Sequence, residues 1–207
     1  MREFPGSKWL LLALPAAALW GQASDHVKID SPQARVLVVT EQPGHVSALH
    51  EHPMNRVMIY LGSGQLIRRT PDGKTQKLDF KAGDARWSPA EGPHTSEYIA
   101  AQPFQLVEIE LKNKPQPHIE MPADDPLKAD PKHYSLEFEN DQVRVLRVRF
   151  GPHEKGVLHQ HKLTHLVVYL TDQAKGKAGE VRLDEPMTHT EENPLDHAVE
   201  RIAIDLK

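Results

Sequence analysis

The sequence of 207 residues contains no cysteine. This absence excludes disulfides, thiolate metal sites and a lipid anchor on cysteine. Aromatic residues are few, at 6%, and neither sign of charge dominates, since the formal net charge is −4. Nucleic-acid binding requires a concentrated basic surface, so we expect no nucleic-acid partner. What the chain has in abundance is histidine, with thirteen residues, on an otherwise ordinary globular composition.

Long apolar runs are absent except for one near the N-terminus. Arg2 and Lys8 precede twelve consecutive apolar residues at 9–20, and the small residue Ala23 follows them. This order is typical of a secretory signal peptide, which we assign to residues 1–23. A membrane anchor needs about twenty apolar residues, and Pro15 argues against a buried helix. We therefore expect a periplasmic or secreted mature protein that has no membrane contact.

Two stretches of the remaining chain repeat each other. LHEHPMNR at 49–56 corresponds to LHQHKLTH at 158–165, with a constant offset of 109 residues. The segments before and after these stretches also match, and they do so in the same order. Two copies of one structural unit explain such an ordered match.

Each copy consists of short β-branched segments bounded by Gly, Pro or Asp, which predicts antiparallel strands. The sequence TPDGKT at 70–75 predicts a hairpin turn in the first copy. We expect an all-β chain with domains at 26–113 and 132–207, joined by a proline-rich linker at 114–131. The offset falls from 109 to 95 between the two histidine motifs, so the second copy lacks about one hairpin.

Side chains alternate between the two faces of a strand, so residues of equal parity share a face. Two histidines, a later polar residue and a tyrosine have equal parity in each copy. They are His50, His52, Arg56 and Tyr60 in the first copy and His159, His161, His165 and Tyr169 in the second. The opposite face is apolar at Val57, Ile59, Leu166 and Val168, so we expect these strands to be covered on both sides.

A third histidine recurs in each copy, His94 and His189, inside a similar frame of Gly, Arg, Pro and His-Thr-x-Glu. Two imidazoles from one strand and one from another form a set of neutral nitrogen donors. Such a set accepts Fe, Mn, Zn, Ni or Cu and leaves positions open for a small-molecule ligand. The alternative is that these histidines are polar lining that binds no metal.

These motifs resemble those of the cupin superfamily, G-(x)5-H-x-H-(x)3,4-E-(x)6-G and G-(x)5-P-x-G-(x)2-H-(x)3-N. The matching positions are Gly44, His50, His52, Gly83, Pro89 and His94 in the first copy, and Gly151, His159, His161, Pro186, His189 and Asn193 in the second. The resemblance implies two tandem jelly-roll β-barrels, a bicupin, with a metal or small ligand in each mouth. It also implies a homodimer as a candidate assembly, but it does not imply one particular reaction.

The chain departs from the family at the position of the usual glutamate ligand. Arg56 stands there in the first copy, and a guanidinium cannot ligate a metal. Either Arg56 grips a substrate carboxylate beside a three-histidine metal centre, or the metal site is lost and Arg56 pairs with Glu97 or Glu51. In the second copy His165 stands there, either as a fourth ligand or as a core histidine.

Other residues allow two interpretations. Tyr60 and Tyr169 share the histidine face, so they line a substrate site or simply pack. Glu97 and Glu191 follow the motif histidines by three and two residues, and they either accept a hydrogen bond from the site or lie on its rim. We expect surface positions for the remaining polar candidates, which are Arg86, Arg182, His26, His45, His118, His133, His153 and His197.

Together these features predict an exported bicupin that binds a divalent transition metal. The most concrete function is a metal-dependent small-molecule enzyme, such as a dioxygenase with a histidine-only iron site. An isomerase is less favoured. The alternative from a different class is a non-catalytic module that binds a carbohydrate or a small anion through Arg56 and the polar barrel walls.

Export is testable on the native protein. If residues 1–23 are removed as a signal peptide, N-terminal sequencing of purified mature protein should begin within a few residues of Ser24. Recovery of the native protein with Met1 intact would contradict the assignment.

Overall fold

The computed structural model describes residues 24–207, and the predicted signal peptide lies outside the described residues. Within this range no helix has the length and apolar character needed to cross a membrane. Almost all regular structure in it is β-strand, as the sequence predicts.

The first repeat contains nine strands. In chain order they are β1 (Ser24–Asp30), β2 (Ala34–Glu41), β3 (His50–His52), β4 (Arg56–Tyr60), β5 (Gly64–Arg69), β6 (Thr75–Phe80), β7 (Ala85–Ser88), β8 (Glu91–Ala100) and β9 (Phe104–Leu111). The larger sheet has the order β1-β2-β9-β4-β7, and the smaller has the order β3-β8-β5-β6. All pairs are antiparallel.

The second repeat follows the same plan with fewer strands. It contains a four-residue helix and seven strands: α1 (Pro126–Ala129), β10 (Tyr134–Glu139), β11 (Val143–Phe150), β12 (His159–His161), β13 (His165–Tyr169), β14 (Val181–Asp184), β15 (Met187–His189) and β16 (Val199–Leu206). Its larger sheet, β10-β11-β16-β13-β14, matches that of the first repeat strand for strand. Its smaller sheet is only β12-β15, because it has no counterparts of β5 and β6. The predicted loss of one hairpin is confirmed.

The hairpin that only the first repeat has is β5-β6. Its turn lies at the predicted TPDGKT sequence, where the amide of Thr70 donates to the carbonyl of Lys74 at 3.0 Å. Gly73 has a φ of +86°, a left-handed conformation that glycine adopts without steric cost. The turn residues therefore fix the register of the two strands.

The two larger sheets pack against each other through one apolar core. Val57 and Ile59 of β4, and Leu166 and Val168 of β13, are fully buried in this core. The same core includes Val36, Val107, Ile109, Val145, Ile202 and Ile204. The expected cover on the second face of these strands is confirmed, and each repeat supplies it to the other.

The segment predicted as a linker, 114–131, contains α1 and packs onto the second barrel at its C-terminal end. Asp125 caps this helix by accepting from the amide of Leu127, and its carboxylate also binds Arg144 at 2.6 Å. Asp125 and Asp130 are 1% and 2% exposed, so this end of the segment is part of the folded structure.

The shared core predicts a large stability cost for its truncation. Ile59→Ala should lower the free energy of unfolding of the full chain by about 2–5 kcal/mol, because the cavity lies between two packed sheets. The matched control Ile99→Ala, at a side chain that is 47% exposed, should cost less than about 0.5 kcal/mol. Urea unfolding followed by circular dichroism measures both. Equal costs for the two variants would show that the sheets do not depend on this core.

Candidate metal centre

The three histidines of the first repeat come together at one end of its barrel. His50 and His52 lie on β3, and His94 lies on β8 directly opposite His50. The centroids of the three rings are 4.6–5.4 Å apart. Each ring offers a nitrogen within 4.8 Å of the others, close enough to share one ion. The sequence-predicted ligand set is thus assembled in space.

Hydrogen bonds select which nitrogen of each ring is available. Nδ1 of His50 donates to the Ala48 carbonyl and Nδ1 of His94 donates to the Gly92 carbonyl, both at 2.8 Å. A carbonyl can only accept, so Nδ1 carries the proton in both rings and Nε2 keeps its lone pair. Nδ1 of His52 lies 3.5 Å from the carboxylate of Glu108. Metal-binding histidines are typically held in this way through the nitrogen that does not ligate.

The surroundings also keep two of these imidazoles, those of His52 and His94, neutral. Burial, with the nearby Arg56 guanidinium as the next cause, lowers the pKa of His52 from 6.5 to about 3. Burial lowers the pKa of His94 as well. A neutral imidazole is the form that donates to a metal, so at pH 7 both rings are in the state that ligation requires.

Arg56 has a partner that the sequence analysis did not identify. Its side chain is buried, with one terminal nitrogen 3.3 Å from Glu108 and the other donating to the Ser88 hydroxyl at 3.0 Å. The alternative in which Arg56 pairs with Glu97 or Glu51 is wrong. Glu97 binds Arg69 instead, at 2.7 Å. Arg56 forms no ion pair with Glu51. Glu108 lies within reach of Arg56 because β9 pairs with β4, although the two strands are far apart in the sequence. The Nε of Arg56 is buried and has no hydrogen-bond partner among residues 24–207.

These side chains line a cavity of about 850 Å³ in the first barrel. Its wall contains four arginines and five carboxylates, which are Arg35, Arg56, Arg68, Arg86, Glu41, Glu51, Glu91, Glu108 and Glu110. With neutral histidines the wall therefore carries one excess negative charge. A divalent cation is not repelled by this wall, even though Arg56 lies beside the histidines. Arg86, expected at the surface, is one of the lining residues.

Tyr60 lies on the same wall as the histidines, as its parity predicts. It is 2% exposed and stacks on Phe80 of the hairpin, with centroids 4.4 Å apart and planes 22° apart. Tyr98 on β8 also lines the cavity. Tyr98 follows His94 on the same strand by four residues, so its equal parity places it on the histidine face.

The second repeat brings three of its four predicted ligands together. His159 lies opposite His189 across β12 and β15, and with His161 they form a second group within 4.8 Å. His165 belongs instead to a separate group with His161 and Asp205. The rings of His161 and His165 are stacked, 4.3 Å apart and 16° from parallel. Nitrogen lone pairs in parallel planes do not converge, so the predicted four-histidine set is not a single group.

The interior of the second barrel is almost filled. The Tyr134 hydroxyl lies 3.1 Å from Nε2 of His159 and donates its hydrogen to Glu191, which also binds Arg201. The cavity that remains among the residues of this interior has a volume of only about 10 Å³. Burial alone would raise the pKa of Glu191, but the Arg201 cation and the Tyr134 hydroxyl lower it to about 2. Tyr134 therefore occupies the side from which an ion would approach His159.

The two glutamates that follow the motif histidines have different roles. Glu191 is buried in the second barrel and binds the tyrosine beside His159, so the hydrogen-bonding interpretation describes it. Glu97 forms its ion pair with a half-exposed Arg69 and lies on the rim. Their spacing from the motif histidine also differs, with three residues for Glu97 and two for Glu191.

One histidine expected at the surface is buried. His133 is 5% exposed, hydrogen-bonds through Nδ1 to Asp130 at 2.8 Å, and stacks on Phe150 with ring centroids 4.0 Å apart. The surface prediction for His133 is therefore wrong. It failed because His133 follows a polar segment whose burial depends on contacts with β11 that are distant in sequence.

Tyr169, the counterpart of Tyr60, is not part of the histidine group. It is 3% exposed, and its hydroxyl has no hydrogen-bond partner among the described residues. Arg182, which was expected at the strand surface, lies over this ring at 5.9 Å and binds Asp184 at 2.7 Å. Both residues line a separate cavity on the side of the second barrel.

No family model matches the chain, and no curated protein matches it by sequence. Three solved structures are similar in fold. AerE from Microcystis aeruginosa has a TM-score of 0.59 at 12% identity, over 89% of this chain and 98% of that one. A cupin 2 conserved barrel domain protein from Leptotrichia buccalis has a TM-score of 0.55 at 14% identity, over 90% and 89%. Oxalate decarboxylase from Bacillus subtilis, described as having Mn(II) centres, has a TM-score of 0.58 at 15% identity, over 89% and 75%.

The lowered pKa of His52 predicts how the stability of the metal-free chain depends on pH. The unfolded histidine takes up a proton near pH 6.5, whereas the folded one does so only near pH 3. The contribution of His52 to the free energy of unfolding should therefore be fully present above about pH 6.5. It should be lost progressively as the pH falls toward 3. His52→Gln should flatten this loss in urea unfolding at several pH values, and His118→Gln, at an exposed position, should not. An unchanged pH dependence in His52→Gln would mean that this ring is not buried in its neutral form.

Proposed function

We propose, starting from the bicupin fold of this chain, that its first barrel holds a divalent transition metal on His50, His52 and His94 and acts there on a small molecule. The single observation that carries the proposal is the way these rings are held. In two of them Nδ1 is fixed by a backbone carbonyl, and in the third it faces Glu108, so that all three can present Nε2. The second barrel holds His159 in the same way, through the Val157 carbonyl. It differs because Nδ1 of His161 has no hydrogen-bond partner among the described residues and the Tyr134 hydroxyl faces Nε2 of His159.

The shape of the first barrel supports a role in binding a substrate. Its cavity of about 850 Å³ lies within the range of small-molecule sites. Tyr60, Tyr98 and apolar residues of the barrel form part of the wall, and the histidines with Arg56 form a polar end. A small molecule in this cavity would touch the metal with one end and the aromatic wall with the other.

Arg56 is the residue to which we assign substrate orientation. Glu108 balances its charge and thereby allows a guanidinium to remain beside a metal cation. Its buried Nε–H has no partner among residues 24–207, and an unpaired buried donor is unfavourable. A carboxylate or other oxygen of the substrate would satisfy this donor. Arg56 would then fix one end of the substrate relative to the three histidines.

The most concrete reaction that we propose is that of an oxygen-dependent dioxygenase with a histidine-only iron site. A bound metal would supply Lewis-acid or redox activation of the molecules in the cavity. Iron, manganese, zinc, nickel and copper all accept three imidazole donors, so the donor set alone does not select among them. The protein contributes a fixed donor geometry and a largely enclosed cavity.

The second candidate is a non-catalytic module that binds a carbohydrate or a small anion. The four arginines in the wall of the cavity favour it, because they can bind an anion without a metal. Export through residues 1–23 and assembly as a homodimer are further parts of our proposal. The metal content of the purified protein separates the enzyme from the metal-free module.

Paired double variants of the full chain test the location of the metal. Wild type purified without chelators should contain about one equivalent of metal per chain, because one complete donor set is held for ligation. His50→Ala with His94→Ala should remove most of this metal, whereas His159→Ala with His161→Ala should retain it. Elemental analysis of all three proteins gives the result.

Circular dichroism provides the control for folding, since each double variant removes two imidazoles from one barrel. Loss of metal only from the second-barrel variant would move the centre to that barrel. Absence of metal from the wild type, even after incubation with Fe(II), Mn(II) and Zn(II), would reject the metal centre and leave the non-catalytic module.

A further inference from the structure

The second barrel has a cavity where its missing hairpin would lie. In the first repeat, β5 pairs with the C-terminal half of β8. The counterpart of that half in the second repeat, 190–194, has no such partner strand and lines a cavity of about 360 Å³. The loop that replaces the hairpin lines the same cavity through Gln173 and Lys175. The shortening of this barrel has therefore opened a space on its side.

The wall of this cavity includes an aromatic ring that has lost its stacking partner. Tyr60 stacks on Phe80 of β6, but the second repeat has no β6, and no aromatic ring stacks on Tyr169 among the described residues. Gly176 lies beside the ring instead, so closely that an added Cβ would be 2.2 Å from Cε2 of Tyr169. This contact positions the loop so that its lysine lies at the rim of the cavity.

The charges around this space are unbalanced. Four cations and two carboxylates line it, which are Lys155, Lys175, Arg182, Arg201, Glu191 and Glu192. Arg201 is paired with Glu191, whereas Lys155 and Lys175 form no ion pair within residues 24–207. The lining residues therefore carry two excess positive charges, and one of these, on Arg182, is paired with Asp184 outside the lining. The wall of the cavity in the first barrel has one excess negative charge, so the two cavities differ in net charge.

A buried polar group of this wall also lacks a partner. The Tyr169 hydroxyl is shielded from solvent and makes no hydrogen bond within the described residues. Arg182 lies over the same ring and Arg201 binds the neighbouring Gln173 at 3.1 Å. An unsatisfied buried hydroxyl is unfavourable unless a ligand or water accepts from it. It is thus an available donor beside two guanidinium groups.

We propose that this cavity is a second, metal-independent site that binds a small organic anion bearing a carboxylate or a phosphate. Lys155 and Lys175 attract the anion at the rim, Arg182 contacts it within the cavity, and the Tyr169 hydroxyl donates a hydrogen bond to one of its oxygens. Pro194, Val199 and the Tyr169 ring provide an apolar wall for the rest of the ligand. The volume is at the lower end of the range for small-molecule sites, so the ligand is small.

Calorimetric titration of the full chain tests this site, with the metal first removed by a chelator. Inorganic phosphate and succinate serve as probes of the two anionic groups, and we expect at least one of them to bind. Lys155→Ala with Lys175→Ala should weaken this binding about tenfold, and more at low salt, because two nearby charges are lost. Tyr169→Phe should weaken it about fivefold, as expected for one hydrogen bond.

Two control variants separate binding in this cavity from attraction by net charge and from binding in the first barrel. Lys74→Ala with Lys77→Ala removes the same charge from the exposed β6 hairpin and should leave anion binding unchanged. Arg56→Gln, which removes the guanidinium proposed to bind an anion in the first cavity, should also leave it unchanged, since the anion does not use the first barrel. Failure of the metal centre would therefore not affect this result.

Three outcomes would overturn the proposal. The first is that neither phosphate nor succinate binds to the wild type. The second is an equal loss of binding in both lysine double variants, which would indicate attraction by net charge alone. The third is loss of binding in the Arg56→Gln variant, which would place the anion in the first barrel.

Discussion

The packing of the two larger sheets against each other determines how the remaining side chains of this protein are used. Strands β4 and β13 direct Val57, Ile59, Leu166 and Val168 into the shared core, where all four are fully buried. Because side chains alternate along a strand, the opposite faces of the same strands must line the barrel interiors. The apolar core thus holds the polar sites in place. A shift of register by one residue would exchange the two faces, so that both the apolar core and the polar sites would be lost.

Charge balance explains how the first barrel combines an arginine with a candidate metal centre. Arg56 is buried beside three histidines, where an isolated guanidinium would oppose the binding of a cation. Glu108 lies between His52 and Arg56, within 3.5 Å of one and 3.3 Å of the other. The same carboxylate therefore offsets the arginine and orients the imidazole. A carboxylate on β9 thus supplies the negative charge beside Arg56.

The two repeats show how the loss of one hairpin changes a barrel. The first barrel keeps β5 and β6, and Phe80 of that hairpin stacks on Tyr60 in the wall of a large cavity. In the second barrel Tyr134 lies against His159, and the interior is nearly filled. Its open space lies on the outer side instead, where Tyr169 meets a cationic rim. Equivalent sequence positions thus face different chemical environments.

The sequence by itself determined the repeated β architecture, the missing hairpin, and the histidines that share a face, because these follow from spacing along single strands. It also identified His94 and His189, each of which lies directly opposite the first histidine of its motif. Only the tertiary structure decided that Arg56 meets Glu108, that His165 leaves the ligand group and that His133 is buried. These outcomes depend on the register between strands far apart in the chain. Local periodicity fixes the direction of a side chain, but only the packing of distant strands selects its partner.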